Sequence, residues 1–193
     1  ARHFPDAPPP IAYIERLRAT HASRIHYYDS TGHARVIVMP VSSDQKSPVT
    51  LCPASISDLE DLVAIRIAAM RESLERVGRF DPERARARFI DGFDAESTRL
   101  LKVDRDLVGF VVIKDHPCEL LLDHLYVVPS AQGAGLGSEV LTLIFREADE
   151  RGRSIKVGAL KESASNRFYM RHGFEFVESG DFDNYYVRAS GKA

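Results

Sequence analysis

From residue 49 onward the apolar positions fall into a tight pattern. Residues 49–52 read as a short strand. Leu59, Leu62, Val63, Ile67, Met70, Leu74 and Val77 then recur at helical spacing. Ser57 reads as the cap of that helix, with Glu60 three residues on, and Gly78 ends it. Asp81-Pro82-Glu83 opens a second helix running to about residue 90. Three strands are predicted next, at 98–103, 107–114 and 119–128, joined by turns too short for anything but antiparallel neighbours. A helix follows to about residue 151, with Leu136, Val140, Leu141, Ile144, Phe145 and Ala148 on one face. A strand at 154–160, a short helix at 165–171 and strands at 174–178 and 185–188 complete the chain. This order predicts an α/β (α+β) fold with a mixed sheet, antiparallel first, containing one βαβ crossover over 119–160.

Residues 1–48 read differently. They hold six of the ten prolines and four of the seven histidines. The pattern predicts an extended Pro-rich start, a helix over 11–21, and a hairpin of 25–28 and 35–39 turning at Asp29-Ser30-Thr31-Gly32. Residues 42–48 form a polar connector. The chain is therefore read as an N-terminal extension, 1–47, followed by one domain, 48–193.

Composition narrows the function. With 44% apolar and 28% charged residues, a core can be buried and disorder is excluded. The longest apolar run is 107–113, far below the roughly 20 residues of a membrane span. A net charge of −2 points away from nucleic acid and from anionic membranes. Arg84, Arg86 and Arg88 spread over more than one helix face and are flanked by Glu83 and Asp91, as on a solvated surface. Cys52 and Cys118 are too few for a disulfide framework or a structural zinc site, and no metal is expected. This usage suits a reducing cytoplasm, and Arg2-His3-Phe4-Pro5-Asp6 has no apolar stretch of signal type.

The sharpest chemical signal is Gln132-Gly133-Ala134-Gly135-Leu136-Gly137, between a strand and a helix. Glycines there let backbone N–H groups approach a ligand, and the positive end of the helix points at the same spot. Together these suit a phosphate or diphosphate. A dinucleotide fingerprint fails in both registers, because its last glycine falls on Ser138 or Val140, and the P-loop Lys-Ser/Thr is absent.

Gln132-x-x-Gly135-x-Gly137, preceded by Leu125-Tyr126-Val127-Val128-Pro129, resembles the acetyl-CoA signature of the GNAT superfamily of N-acetyltransferases. Asn166-Arg167-Phe168-Tyr169-Met170-Arg171-His172-Gly173-Phe174 resembles that family's later helix-to-strand segment. The likeness covers residues 49–188 and leaves 1–48 uncovered.

The resemblance implies the acyl-CoA N-acyltransferase fold and direct transfer of an acetyl group from acetyl-CoA to a primary amine of a small molecule or peptide. The CoA diphosphate would lie on the amides of Gln132, Gly133, Ala134, Gly135, Leu136, Gly137 and Ser138. The pantetheine arm would pair with backbone near Leu125, Tyr126 and Val127 like an added strand, and Asn166 would assist. A bulge in that strand and a splay from its neighbour are expected. Tyr169 matches the position that protonates the leaving sulfur. Simple alternation sets Asp123 on the face of Leu125, where it can take the amine proton, directly or through water, or bind the ammonium, and sets His124 on the other face. Two departures stand out: the base glutamate that some family members carry in the later strand is replaced by Val157, and the asparagine with which many hold CoA is replaced by Glu162. A catalytically silent acyl-CoA-binding or sensor module is therefore the rival reading. A homodimer is a candidate arrangement, with residues 1–47 lying on a neighbouring subunit or covering the acceptor cleft.

Overall fold

The computed structural model describes residues 47–191, and the backbone alone of 17–19, 22–28 and 34–40. The chain divides into two units, Ala1–Ser47 and Pro48–Ala193. In the first, β1 (Leu17–Ala19), β2 (Ala22–Tyr28) and β3 (Ala34–Pro40) form an antiparallel sheet in that order. The expected hairpin is present in β2 and β3, with its turn outside the described residues. The helix expected over 11–21 is corrected at its end: Leu17–Ala19 is a strand paired with β2, and the rest lies outside the described residues.

The second unit carries β4 (Val49–Pro53), α1 (Leu59–Arg76), α2 (Pro82–Asp91), β5 (Thr98–Val103), β6 (Asp106–Asp115), β7 (Glu119–Val127), α3 (Leu136–Glu150), β8 (Ser154–Leu160), α4 (Ala164–Arg171), β9 (Glu175–Ser179) and β10 (Asp183–Arg188). A single turn of 3-10 helix, Ile56–Asp58, leads into α1. The expected cap at Ser57 moves back to Ser55, whose backbone N–H donates to Asp58 Oδ2 at 2.8 Å. At α2, Asp81 accepts from the Arg84 N–H at 2.9 Å, and Pro82 takes the first turn, where a missing N–H costs nothing.

The sheet runs β4-β5-β6-β7-β8-β10-β9. All pairs are antiparallel except β7 with β8, which α3 connects as the predicted βαβ crossover. Phe110 faces Tyr126, and the ring of Phe89 on α2 lies 5.3 Å from Phe110. Tyr126 Oη reaches Met70 Sδ on α1 at 3.1 Å. The helices α1 and α2 therefore cover one face. On the other, Arg99 sits beside Val111 and clamps Glu147 of α3 through two hydrogen bonds of 2.6 and 3.0 Å. The sheet is sandwiched, and Leu101, Val108, Phe110, Val111, Leu120, Leu141 and Ile144 at its centre have no measurable exposure.

Candidate active site

The site begins where two strands part. β7 and β8 pair only from Glu119 with Ser154 to Leu122 with Val157. Beyond Leu122, β7 continues along β6 alone. At that point the β6 register steps from Ile113–Leu122 to Val112–His124, so Asp123 is an inserted residue. This is a β-bulge, which bends a strand away from its neighbour.

Parity then fixes which backbone groups are free. The Val128 N–H donates to Val108 O at 2.8 Å, so it points at β6. Alternate residues share that direction, and Tyr126 and His124 spend their backbone groups on β6. Leu125 and Val127 point their N–H and C=O the other way, into the gap left by β8. Among the described residues, the one acceptor of a bond there is Val127 O, from Gln132 Nε2 at 2.9 Å. Leu125 and Val127 thus form the open edge expected of them. Tyr126 does not: its backbone is paired and its ring packs toward α1.

The glycine turn stands at the end of this edge. Gly133 has φ +78 and Gly135 φ +82, left-handed values that an L side chain adopts only under strain. These turns lead the chain from β7 into the start of α3. Among the described residues none accepts a hydrogen bond from the N–H of Gly133, Ala134, Gly135, Leu136, Gly137 or Ser138. Six unpartnered donors and the positive end of the helix dipole thus lie together at the start of α3. Gln132 instead clips the turn to β7 with its side chain, and Leu136 buries its side chain in the core.

Gly137 corrects the expectation that its bareness serves a ligand. A Cβ there would lie 3.1 Å from Phe168 Cζ, so the glycine lets α4 close onto α3. Ser138 is also turned inward. His172 Nδ1 donates to Phe168 O at 2.7 Å, and its Nε2 shares a hydrogen bond of 2.9 Å with the Ser138 hydroxyl. Ser138 therefore offers the spot its backbone N–H, not its hydroxyl.

Asn166, expected to assist the ligand, is spent on the protein. Its Nδ2 donates to Leu160 O at 2.8 Å and Ser163 O at 3.0 Å. Its Oδ1 accepts from Asn184 Nδ2 and Tyr186 Oη, each at 2.9 Å. Two donors and two lone pairs are all filled, so the amide pins α4 to β8 and β10.

Tyr169 packs edge-on to Phe168 and Phe174, each ring centroid 5.3 Å away, and is 6% exposed. Its hydroxyl has no hydrogen-bond partner among the described residues and is not sealed from solvent; among them the one sealed, unpartnered polar side-chain atom is Arg66 Nε. Burial pushes this hydroxyl well above the usual tyrosine value, and nearby Tyr126 pushes the same way.

The bulge also overturns the alternation expected around Asp123. Asp123 pairs with Lys114 Nζ at 2.6 Å, on the face carrying Val112 and His124, while Leu125 turns to the opposite face with Val111. Asp123 and His124 thus share one wall of a cavity of about 250 Å³, with Phe89, Val112 and Arg66 among its other walls. His124 lies among the rings of Phe89, Phe110 and Tyr126. Burial lowers its pKa, opposed by Asp123 and reinforced by Arg66 and Lys114. It is a neutral base at neutral pH, which counting by twos missed. On β10, Asp183 is pushed up by burial against the pull of Lys161. No motif marks it in the sequence.

Residues 95–176 match the family model of the acetyltransferase (GNAT) domain. The unit that holds them has the fold of the GNAT superfamily. Among solved structures, the GNAT domain is similar to a PaiA N-acetyltransferase from Thermoplasma acidophilum in complex with coenzyme A, with TM-score 0.63 and 16% identity over 73% of this chain and 98% of that one. An acetyltransferase from Thermus thermophilus gives TM-score 0.60 and 19% identity over 76% and 99%. The N-acetylglutamate synthase of Neisseria gonorrhoeae, complexed with coenzyme A and N-acetyl-glutamate, gives 0.52 and 18% over 77% of this chain and 36% of that one. At these identities the likeness is one of fold, and it is the GNAT fold expected from the sequence. No curated protein matches significantly. The base glutamate of some family members has no counterpart: Val157 is 1% exposed, in the last pair before the strands part. Glu162 holds a left-handed φ of +63, and its carbonyl accepts from Arg76 Nη1 at 3.4 Å.

Proposed function

We propose that the GNAT domain transfers an acetyl group from acetyl-CoA directly to a primary amine. The observation that carries this reading is the parting of β7 from β8 after Leu122, beside six unpartnered amides at the start of α3. The diphosphate is held by the N–H groups of 133–138, and the pantetheine arm runs along the open edge at Leu125 and Val127. A Leu125 N–H aimed at the thioester carbonyl is worth about 3 kcal/mol on the developing oxyanion.

The amine must shed a proton before it attacks. Asp123 and His124 stand together to take it. Asp123 has committed one oxygen to Lys114 and also balances the incoming ammonium; His124 is neutral and ready. The nitrogen attacks the thioester carbon and sheds its second proton, the C–S bond breaks, and the sulfur carries charge until that proton, passed through solvent, makes the CoA thiol. Tyr169 then matters as a donor. Its raised pKa makes full proton transfer to a thiolate of pKa about 8.5 uphill, so its service is a hydrogen bond to the developing sulfur anion.

The second reading is an acyl-CoA sensor without turnover. The buried Val157 in place of a glutamate favours it. Release of free CoA thiol, followed across a broad panel of amines, separates the two. Turnover with any amine establishes the transferase; saturable acetyl-CoA binding with no turnover across the panel establishes the sensor. Cys52 and Cys118 are both free thiols, which supports a reducing compartment such as the cytoplasm.

A further inference from the structure

The cavity beside Asp123 and His124 has a charge pattern that an amine alone does not explain. Its walls carry three cations, Arg66, Arg88 and Lys114, against two carboxylates, Asp94 and Asp123. Both carboxylates are already engaged. Asp123 is paired with Lys114. Asp94 accepts from the Ser97 hydroxyl and, at 3.1 Å, from the Glu96 N–H. Neither Arg66 nor Arg88 has a carboxylate partner among the described residues.

Arg66 is the telling residue. It reaches from α1 to α2, donates from Nη1 to Ala85 O at 2.7 Å, and lies 5.8 Å from the Phe89 ring centre. Its Nε is sealed from solvent with no acceptor. A guanidinium stays charged at every physiological pH, and a part-buried one ordinarily has an anion against it. Here it is fixed in place by a carbonyl and a ring, with the neutral Tyr126 hydroxyl beside it, and none of these balances its charge. Arg88 stands exposed on the same cavity. Phe89, Phe93 and Val112 line the space between with apolar surface.

Resting on the transferase reading above, we propose that the acceptor is a small amine that also bears a carboxylate, an amino acid or its close analogue. Arg66 and Arg88 receive the carboxylate, the apolar wall takes the carbon skeleton, and the amino group faces Asp123 and His124. The planar guanidinium matches a carboxylate better than a single ammonium would. A cavity of about 250 Å³ suits a molecule of this size rather than a long polyamine. A polyamine or other cationic acceptor meets uncompensated like charge at Arg66 and Arg88.

The test is thiol release with acetyl-CoA and four acceptor classes: free amino acids, their carboxamides, spermidine, and phosphoethanolamine. Amino acids are expected to turn over best, with KM rising at least tenfold on amidation. Arg66→Met and Arg88→Met are each expected to raise KM for the amino acid at least tenfold, with kcat changed less than threefold and acetyl-CoA affinity unchanged. Arg88→Met, at an exposed position, keeps the test open if Arg66→Met fails to fold. Turnover of spermidine or of carboxamides as good as that of amino acids overturns the proposal, as does an unaltered KM in Arg88→Met. A preference for phosphoethanolamine also overturns it, in favour of a phosphate-bearing acceptor. If acetyl-CoA itself fails to bind, the transferase reading has failed, and calorimetry with amino acids alone then judges the cavity. Binding that weakens at least tenfold in Arg88→Met upholds the carboxylate site; no binding removes it.

Discussion

Replacing Tyr169 by Phe separates chemistry from packing more cleanly than other single changes in the site. Phe keeps both ring contacts, to Phe168 and Phe174 at 5.3 Å. It removes only a hydroxyl that has no partner among the described residues. No protein hydrogen bond is lost, so stability should stay within about 0.5 kcal/mol of the parent and can rise. For a domain of this size that is a melting shift of about 2 °C or less. The rate should respond very differently. A hydrogen bond to charge developing in the transition state is worth about 3 kcal/mol, and each 1.36 kcal/mol is tenfold, giving a loss of roughly 150-fold in kcat. Acetyl-CoA affinity should not move, because the sulfur carries no charge until the C–S bond breaks. The assay is thiol release at saturating acetyl-CoA, with a melting curve and an acetyl-CoA titration on the same samples. An unchanged kcat removes Tyr169 from the reaction. A large fall in melting temperature that parallels the loss of rate reduces it to a packing residue.

Gly133→Ala and Gly152→Ala form a matched pair, since both positions have positive φ and open space around the would-be Cβ. Each should cost about 1 kcal/mol of stability, but only Gly133→Ala should weaken CoA binding, several-fold or more by calorimetry. Equal CoA affinity in the two variants contradicts a diphosphate site at the turn. Asn166→Ala strips partners from Leu160 O, Ser163 O, Asn184 and Tyr186 at once. It should cost about 2–3 kcal/mol, a melting drop of roughly 5–10 °C, and a drop under about 2 °C denies it the pinning role. His124, whose pKa is lowered from its ordinary 6.5, binds fewer protons folded than unfolded. Its contribution to stability is therefore complete above pH 6.5 and is lost as pH falls below that toward the folded value. His124→Gln should flatten the melting-temperature profile over that window, and an identical profile in parent and variant refutes the buried neutral state.

Much of the fold was legible because its signals are local. The helical spacing from Leu59 to Val77, the Pro-opened helix at Pro82 and the meander of β5 to β7 each follow from neighbouring residues. So does the glycine turn, whose positive φ values at 133 and 135 are a backbone property. What period-two counting could not see is an inserted residue. The bulge at Asp123 looks in sequence like one more alternating position, yet it brings Asp123 and His124 to one face of the sheet and sends Leu125 to the other face. Long-range partners were equally hidden. Whether Asn166 faces a ligand or the protein is decided by Asn184 and Tyr186, about 20 residues away on β10. Gly137 looks like the glycines before it until Phe168 is found against it. The cap at Ser55 rather than Ser57 is a smaller error of the same kind, since Ser57 and Glu60 fit the capping pattern as well as Ser55 and Asp58 do.

The most direct test of the central claim follows the backbone amides of 133–138 by nitrogen-15 NMR as CoA is added, with pantetheine, which lacks the diphosphate, as the comparison. Saturable shifts at Gly133, Gly135 and Gly137 with CoA, absent with pantetheine, are the predicted result. Binding that leaves those amides unmoved, or no saturable binding at all, contradicts it.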